Sequence, residues 1–344
     1  MKNSFIPLNF DALQFWSHTA CSIDDINLVC RELDSLYLVA RLDFKGAEGL
    51  RVTVSNKVFN SQQGHSPTVI EFFKQIHAIN GNSQLEGSLV IWLEDGLWES
   101  FHKYARRIPM LVYGRSISDH YSFLIPDPAF LASDAYLKDK AVIDAAEAAI
   151  GWDNKQETLY WRGAGSSQLV SSDLWKQAPR IALSLKSLEL NDNSILDAAI
   201  SKVVEYPNDP IYSERIIQTG IVKDYVKFVD FLKYKYLVDA DGMCCAWMSM
   251  FFKQYSHSLV FKIESEYLQW YYYLLKPWKN YIPVTAKMEE IPELVKWARA
   301  NDSFCREIAE AGRMMISEIN YKEARAEVFQ LINELFKAQH LLQS

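Results

Sequence analysis

An α/β protein built as two Rossmann-like domains is the fold this sequence predicts. Three observations carry that expectation. The chain is long enough for two domains, its apolar strand-like runs alternate with amphipathic helices, and small polar residues collect just after those runs. At 344 residues it has room for about two domains of roughly 150 residues each. Its composition, 49% hydrophobic and 23% charged, is that of a chain with a packed core.

The elements follow in order. Leu36–Phe44 and Leu50–Phe59 alternate and are rich in branched residues, which suits strands. Ser66 and Pro67 offer an N-cap and first-turn pair for a helix over Ser66–Ile79, with Val69, Phe72, Phe73 and Ile76 at helical spacing. Two more strands are expected at Leu89–Leu93 and Pro109–Gly114. Strand, helix, strand order suggests a parallel layer. A helix over Asp139–Ile150, with Val142, Ile143, Ala146 and Ile150 inward, ends at Gly151.

The polar stretch Gly151–Glu157 reads as the domain boundary. Residues 1–155 then form an N-terminal domain and 156–320 a C-terminal one. In the second domain Thr158–Gly163, Lys233–Ala240 and Leu259–Ile263 read as strands, and Lys287–Ala300 as an amphipathic helix. The last helix, Tyr321–Leu342, carries Val328, Leu331, Ile332, Leu335 and Phe336 on one face and is expected to return to the N-terminal domain.

Composition excludes several classes. A net charge of −7 argues against a nucleic-acid partner, which calls for a basic surface. No run approaches the length of a membrane span, and the N-terminus lacks the apolar stretch of a secretion signal. Five cysteines, irregularly spaced, suit neither a disulfide framework nor a zinc site, so a reducing cytoplasm is the expected location. No metal site and no cofactor are expected.

Open α/β sheets bind ligands at the carboxyl ends of their strands, and the candidate residues lie there. Asp95 follows the run Leu89–Leu93 beside Gly96. It reads as a general base or as a plain turn residue. Arg162 and Gly163 open a turn through Ser166 that suits a diphosphate or is a simple loop. Asp239–Trp247 joins a strand to small residues, as a ligand loop or an ordinary connection. Adjacent Cys244 and Cys245 read as small buried residues. The aromatic run Tyr267–Tyr281 reads as packing or as a stacking surface. His102, Lys103, Arg106 and Arg107 form a basic cluster that could face anionic lipid or a solvated surface.

The second half resembles glycosyltransferase family 90, the capsule-associated-protein-like family, which includes bacterial lipopolysaccharide core glycosyltransferases and Rumi-type protein O-glucosyltransferases. The residues that carry the resemblance are Tyr160–Gly163, Lys233–Leu237 with Asp241-Gly242, Ser258–Phe261, Leu275–Val284 and Ala300–Asp302. In the first half it rests on Trp92–Asp95 and Pro109–Ser116.

The resemblance implies a GT-B fold with a cleft between two domains. It also implies metal-independent, inverting transfer of a hexose, glucose or galactose, from a UDP-sugar. Asp95 matches the place of the family's base. The donor-binding residues it suggests are Arg162, Gly163, Ser166, Arg180, Asp241, Gly242, Cys245, Ala246 and Trp247, with Glu264 and Glu266 beyond the next strand. Glu94, Arg115, Asp119 and His120 are acceptor-side candidates.

Two departures stand out. Glu94 replaces an arginine before the base, and Trp247-Met248 stand where the animal members carry a diphosphate-binding arginine. The Asp239–Gly242 loop with the following Trp247 resembles the bacterial branch more than the animal one. The absence of the animal members' signal peptide and retention tail argues against a lumenal protein-modifying enzyme. The expected acceptor is therefore a lipopolysaccharide core or other surface glycan, with peripheral contact to the inner face of the cytoplasmic membrane. The competing expectation is a catalytically silent nucleotide-sugar-binding protein of the same fold.

Overall fold

A computed structural model describes residues 6–61, 66–78, 85–169, 173–206, 209 and 211–343. Ile79, the expected end of the first long helix, lies outside them. Contacts divide the chain into two compact units, Met1–Tyr136 with Glu266–Leu274 and Ile319–Ser344, and Leu137–Ser265 with Leu275–Glu318.

The first unit holds a five-stranded sheet. Its strands are β1 (Val39–Lys45), β2 (Leu50–Val54), β3 (Glu86–Trp92), β4 (Met110–Val112) and, after a short β5 (Gly114–Ser116), β6 (Phe123–Leu124), in the order β2-β1-β3-β4-β6. β3, β4 and β6 are parallel, whereas β1 is antiparallel to both β2 and β3. The expected parallel layer holds for β3, β4 and β6, and β1 is the exception. The turn Gly46–Gly49 between β1 and β2 is too short for a parallel crossover, so the chain closes a hairpin. The second expected strand stops at Val54, and residues Asn56–Ser61 turn into a helix.

Two helices the sequence reading did not anticipate, Phe10–Trp16 and Ile23–Leu33, precede the sheet. Ser22 starts the second by accepting from the Asp25 amide while Asp25 accepts from the Ser22 amide. The helix Tyr321–Gln343 packs against Phe10–Trp16 and Ser66–Ala78, and its stripe Val328, Leu331, Ile332, Leu335 and Phe336 is buried. Phe336 closes on β3 at Gly87, where a Cβ would lie 2.6 Å from the ring.

The second unit holds β7 (Gln156–Ala164), β8 (Leu196–Lys202), β9 (Tyr234–Asp239) and β10 (Leu259–Ile263); the short β11 (Tyr267–Gln269) belongs to the first unit and pairs there with β5, and β12 (Ile282–Val284) completes the second unit's sheet. All five pair in parallel, in the order β12-β10-β9-β7-β8. Every residue of β10 is buried, as befits a parallel strand covered on both faces. Counted within the unit this is the 2-1-3-4-5 order, which reverses between its first and third strands, β7 and β9.

The sequence sets the domain change between 155 and 156, but contacts set it between Tyr136 and Leu137. The reason lies in the helix Leu137–Ile150. Its buried Glu147 receives Lys155 Nζ at 2.8 Å, and its Asp144 receives the Tyr255 hydroxyl at 3.1 Å. Ile143 and Glu147 face inward, while Val142 is exposed, so an ion pair takes the place of the expected apolar stripe.

Candidate functional site

The strand order points to the carboxyl ends of β7 and β9, where the order of strands reverses, the place at which open parallel sheets bind ligands. Arg180, in the first turn of the helix Pro179–Leu190, reaches that place. It donates Nε to the Ala240 carbonyl at 3.1 Å. Its Nη1 goes to the Ala164 carbonyl at 3.1 Å and to Ser166 Oγ at 2.8 Å. Both carbonyls are strand-end groups, one following β9 and one ending β7. Gly242 presses against the same cluster, where a Cβ would stand 2.7 Å from Ser166 Oγ and 2.8 Å from Arg180 Cζ. Any side chain at 242 would push the guanidinium out of place. Gln168 further ties the first loop to the second by donating to the Met243 carbonyl.

Beneath these loops lies a buried charge network. Asp239, the last residue of β9, receives Lys253 Nζ at 3.0 Å and Lys262 Nζ at 3.2 Å. Burial alone would raise its carboxyl pKa, but the two ammonium groups outweigh burial and hold it below the ordinary value. Asp241 behaves oppositely. Burial raises it, the charge of Asp239 adds to the rise, and Lys262, 3.9 Å away, opposes it only in part. Ser265 donates to its Oδ2, and among the described residues Oδ1 accepts no hydrogen bond. Asp241 therefore presents a buried acceptor to a hydroxyl or amide donor. Asp239-Ala240-Asp241 has the spacing of a metal motif, yet the Asp239 carboxylate is taken by lysines. Among the described residues no three His, Cys, Asp or Glu side chains group as metal ligands.

The sequence reading did not pick out Lys253, Lys262 or Ser265. The signal was one lysine inside each of two largely apolar segments, Met248–Tyr255 and Leu259–Ile263. Buried lysines need a carboxylate partner.

Other donor-side candidates sort out as follows. Cys245, Ala246 and Trp247 lie in the loop after Gly242. Cys245 is buried with its sulfur 3.7 Å from that of Cys244, and burial drives its thiol pKa well up. Trp247 holds φ 51°, a left-handed backbone that is costly for a bulky residue, immediately before the helix Met248–Tyr255.

Arg162, expected at the donor site, is engaged within the sheet. Its Nη2 bonds both oxygens of Asp197 at 2.7 and 2.8 Å, its Nη1 bonds the carbonyls of Trp161 and Asp197, and its plane covers the Tyr160 ring. The fork is held against Asp197 of the neighbouring strand β8. Gly163, beside it, takes the Ser201 hydroxyl on its carbonyl. Glu264 accepts the Ala286 amide at 3.2 Å, which ties the end of β10 to the segment after β12. Glu266 belongs with the first unit, where its carbonyl accepts the Ile117 amide.

In the first unit Asp95 is exposed, in the bend that follows β3. The bend is pinned on both sides. Trp92 Nε1 donates to the Gly96 carbonyl at 2.9 Å, and the Leu97 amide bonds the Gly114 carbonyl at 2.9 Å. Glu94 turns away to accept the Leu38 amide at 3.0 Å, and burial raises its pKa.

Two of the remaining acceptor-side candidates, Arg115 and Asp119, are built into the fold. Buried Arg115 bonds the carbonyls of Ser122 and Leu8. Asp119 caps the amides of Tyr121 and Ser122 and accepts the Ser122 hydroxyl. His120 is exposed and pairs with Asp11 at 2.9 Å. The expected basic cluster is broken up. His102 is buried, Arg106 covers the Tyr121 ring and Arg107 pairs with Glu32. Among the described residues no helix is long and apolar enough to cross a membrane.

A parallel sheet with an arginine fixed at its switch point, together with a second sheet that presents a carboxylate after a strand, is the layout of a two-unit α/β protein with strand-end ligand sites. The pattern of glycosyl transferase family 90 matches residues 93–341, and the chain belongs to that family. It is 33% identical over 168 residues to a mouse protein named "Protein O-glucosyltransferase 3", a stretch that is 49% of this chain and 29% of that protein. It is 32% identical over 172 residues to the bovine "Protein O-glucosyltransferase 1", covering 48% of this chain and 38% of that one. The match thus spans well under half the length of these relatives. A solved structure of Anabaena Alr3699/HepE in complex with UDP and glucose superposes with a TM-score of 0.42 at 8% identity, over 80% of this chain and 68% of that one. A glycosyltransferase from Rickettsia africae superposes with a TM-score of 0.41 at 12% identity, over 70% and 68%.

Proposed function

We propose that the protein is an inverting glycosyltransferase that moves a hexose, glucose or galactose, from a UDP-sugar to a lipopolysaccharide core or other surface glycan. Arg180 at the switch point is the observation that carries this reading. Family membership and the relatives named for glucosyl transfer support it.

In this reading the second unit binds the donor. Arg180 neutralises the charge that develops on the leaving diphosphate, in place of the arginine that animal members carry where Trp247-Met248 stand here. Asp241 Oδ1 accepts from a donor hydroxyl. Asp95 takes the proton of the acceptor hydroxyl as that oxygen attacks the anomeric carbon, and the UDP group leaves from the opposite side. A single displacement turns an α-linked donor into a β-linked product. No metal ion enters the scheme. Access to a lipid-linked acceptor is by peripheral contact with the cytoplasmic membrane face.

The test is UDP release from UDP-glucose and UDP-galactose, with and without purified core oligosaccharide, followed by linkage analysis. Acceptor-stimulated release with a β-linked product is expected. An α-linked product rules out the mechanism, and absence of release with every donor leaves the silent binding protein in its place.

A further inference from the structure

Strand β10 reads Leu-Val-Phe-Lys-Ile, and all five residues are buried. A lysine in such a strand calls for a carboxylate partner. Asp239, opposite Lys262 in the strand register, supplies one. Yet Asp239 already has an ammonium group of its own, Lys253 Nζ at 3.0 Å. Asp239 alone therefore does not account for Lys262. The charges balance once Asp241 is included, with two carboxylates against two ammonium groups. Among the described residues Lys253 pairs with Asp239, while Lys262 stands 3.2 Å from Asp239 and 3.9 Å from Asp241.

We propose that Lys262 is a positioning residue for donor binding, which holds Asp241 in the charged form that accepts a sugar hydroxyl of the UDP-sugar. The inference rests on the donor site proposed above and adds the residue that tunes it. Ser265 donates to Asp241 Oδ2, which turns Oδ1 into the acceptor that no hydrogen bond occupies among the described residues.

The charges around Asp241 explain why it needs Lys262. Asp239 faces it from β9, Lys262 from β10 and Arg180 from the helix Pro179–Leu190. Cys245 lies near both Asp241 and Lys262, and Tyr281 lies near Lys262. Burial and the charge of Asp239 raise the Asp241 carboxyl, and Lys262 and Arg180 oppose the rise. In the proposed complex the diphosphate takes up the charge of Arg180. Lys262 is then the cation that keeps Asp241 ionised while the donor is bound.

The test is the pH dependence of UDP-glucose and UDP-galactose affinity, measured by calorimetry on the full chain from about pH 5 to pH 9. Wild type is compared with Lys262→Met, Lys262→Arg, Lys253→Met and Asp241→Asn, and UDP is titrated in parallel. Wild-type affinity is expected to fall as the pH drops through the Asp241 titration, because protonation removes a charge-assisted bond. Lys262→Met should move that fall about one to three pH units higher, the effect of losing an opposite charge a few ångström away. Lys262→Arg keeps the charge and should restore the wild-type profile. Lys253→Met, whose ammonium serves Asp239, should move it far less. Asp241→Asn should bind weakly and lose the pH dependence, and it carries the test if Lys262→Met does not fold. A difference between wild type and Asp241→Asn that extends to UDP reads a ribose hydroxyl, and one confined to the UDP-sugars reads a hexose hydroxyl. A merely structural Lys262 would lower unfolding stability and leave the profile in place. An unmoved profile in Lys262→Met, an equal shift in Lys253→Met, or a pH dependence that persists in Asp241→Asn overturns the inference while leaving the donor site standing. Wild-type protein that binds neither UDP nor a UDP-sugar at any pH removes the donor site itself.

Discussion

At the carboxyl ends of its strands the second unit locks charge in place. Asp239 is gripped by Lys253 and Lys262, and Arg180 is fastened to the carbonyls of Ala164 and Ala240. The first unit does the reverse, carrying Asp95 exposed in a short pinned bend. The contrast follows from the two proposed tasks. A site that meets a diphosphate gains from fixed groups that need no reorganisation as charge develops. A base must be reached by a hydroxyl that arrives from solution.

The largest expected effect breaks the exposed side. Asp95→Asn keeps shape but cannot accept a proton, so turnover at saturating donor and acceptor should fall about 100- to 10,000-fold. UDP affinity should stay near wild type. Glu94→Gln can still accept the Leu38 amide and should keep most of the turnover. Retention of more than about a tenth of the rate in Asp95→Asn would move the base elsewhere.

Next comes the buried side. Asp239→Ala strands two lysines away from water, and removing one partner of a buried pair costs about 3–5 kcal/mol. Denaturant unfolding reads this directly. A loss below about 1 kcal/mol would mean that water reaches the network.

A sharper comparison sets two arginines of the second unit side by side. Arg180→Ala should weaken UDP binding by about 1.5–3 kcal/mol, the worth of charge-assisted hydrogen bonds. Arg162→Ala should leave UDP affinity unchanged and lower unfolding stability instead, because its fork holds Asp197. Equal loss of UDP affinity in both variants would erase the distinction.

The smallest effect is a pH dependence at Asp197. Burial would raise its pKa, but hydrogen bonds from Lys223 and Arg162 hold it below the ordinary value. A depressed carboxylate stabilises the fold above its unfolded pKa and loses that contribution as pH falls through the folded value. The stability gap between wild type and Asp197→Asn should therefore be open at neutral pH and close below about pH 4. A gap that persists at low pH would show that the pair contributes by packing.

Much of this layout was readable in the residues. The strand at Leu259–Ile263 follows from a short apolar run, and the buried stripe of Tyr321–Gln343 from helical periodicity. The loops after β7 and β9 announced themselves by small polar residues. Arg162 misled because chain position records which strand a side chain is on and not which neighbour it meets, and Asp197 comes from β8, 35 residues later. Lys262 escaped because its charge is hidden inside an apolar strand and is explained only by Asp239 on the next one. Antiparallel β1 escaped because strand direction is set by a turn, and the periodic pattern is the same either way.

The contact of Phe336 with Gly87 bears on how the chain assembles at the ribosome. Domains usually form in the order in which they are synthesised. Here β3, which leads into Asp95, is covered by a helix made some 230 residues later, since Gly87 and Phe336 are 249 positions apart. The second unit has all of its residues by Glu318, while the first still waits for Ile319 onward. The half translated first is thus the half completed last. During that interval the face of β3 at Gly87 lacks its cover, which makes it the surface a chaperone would guard.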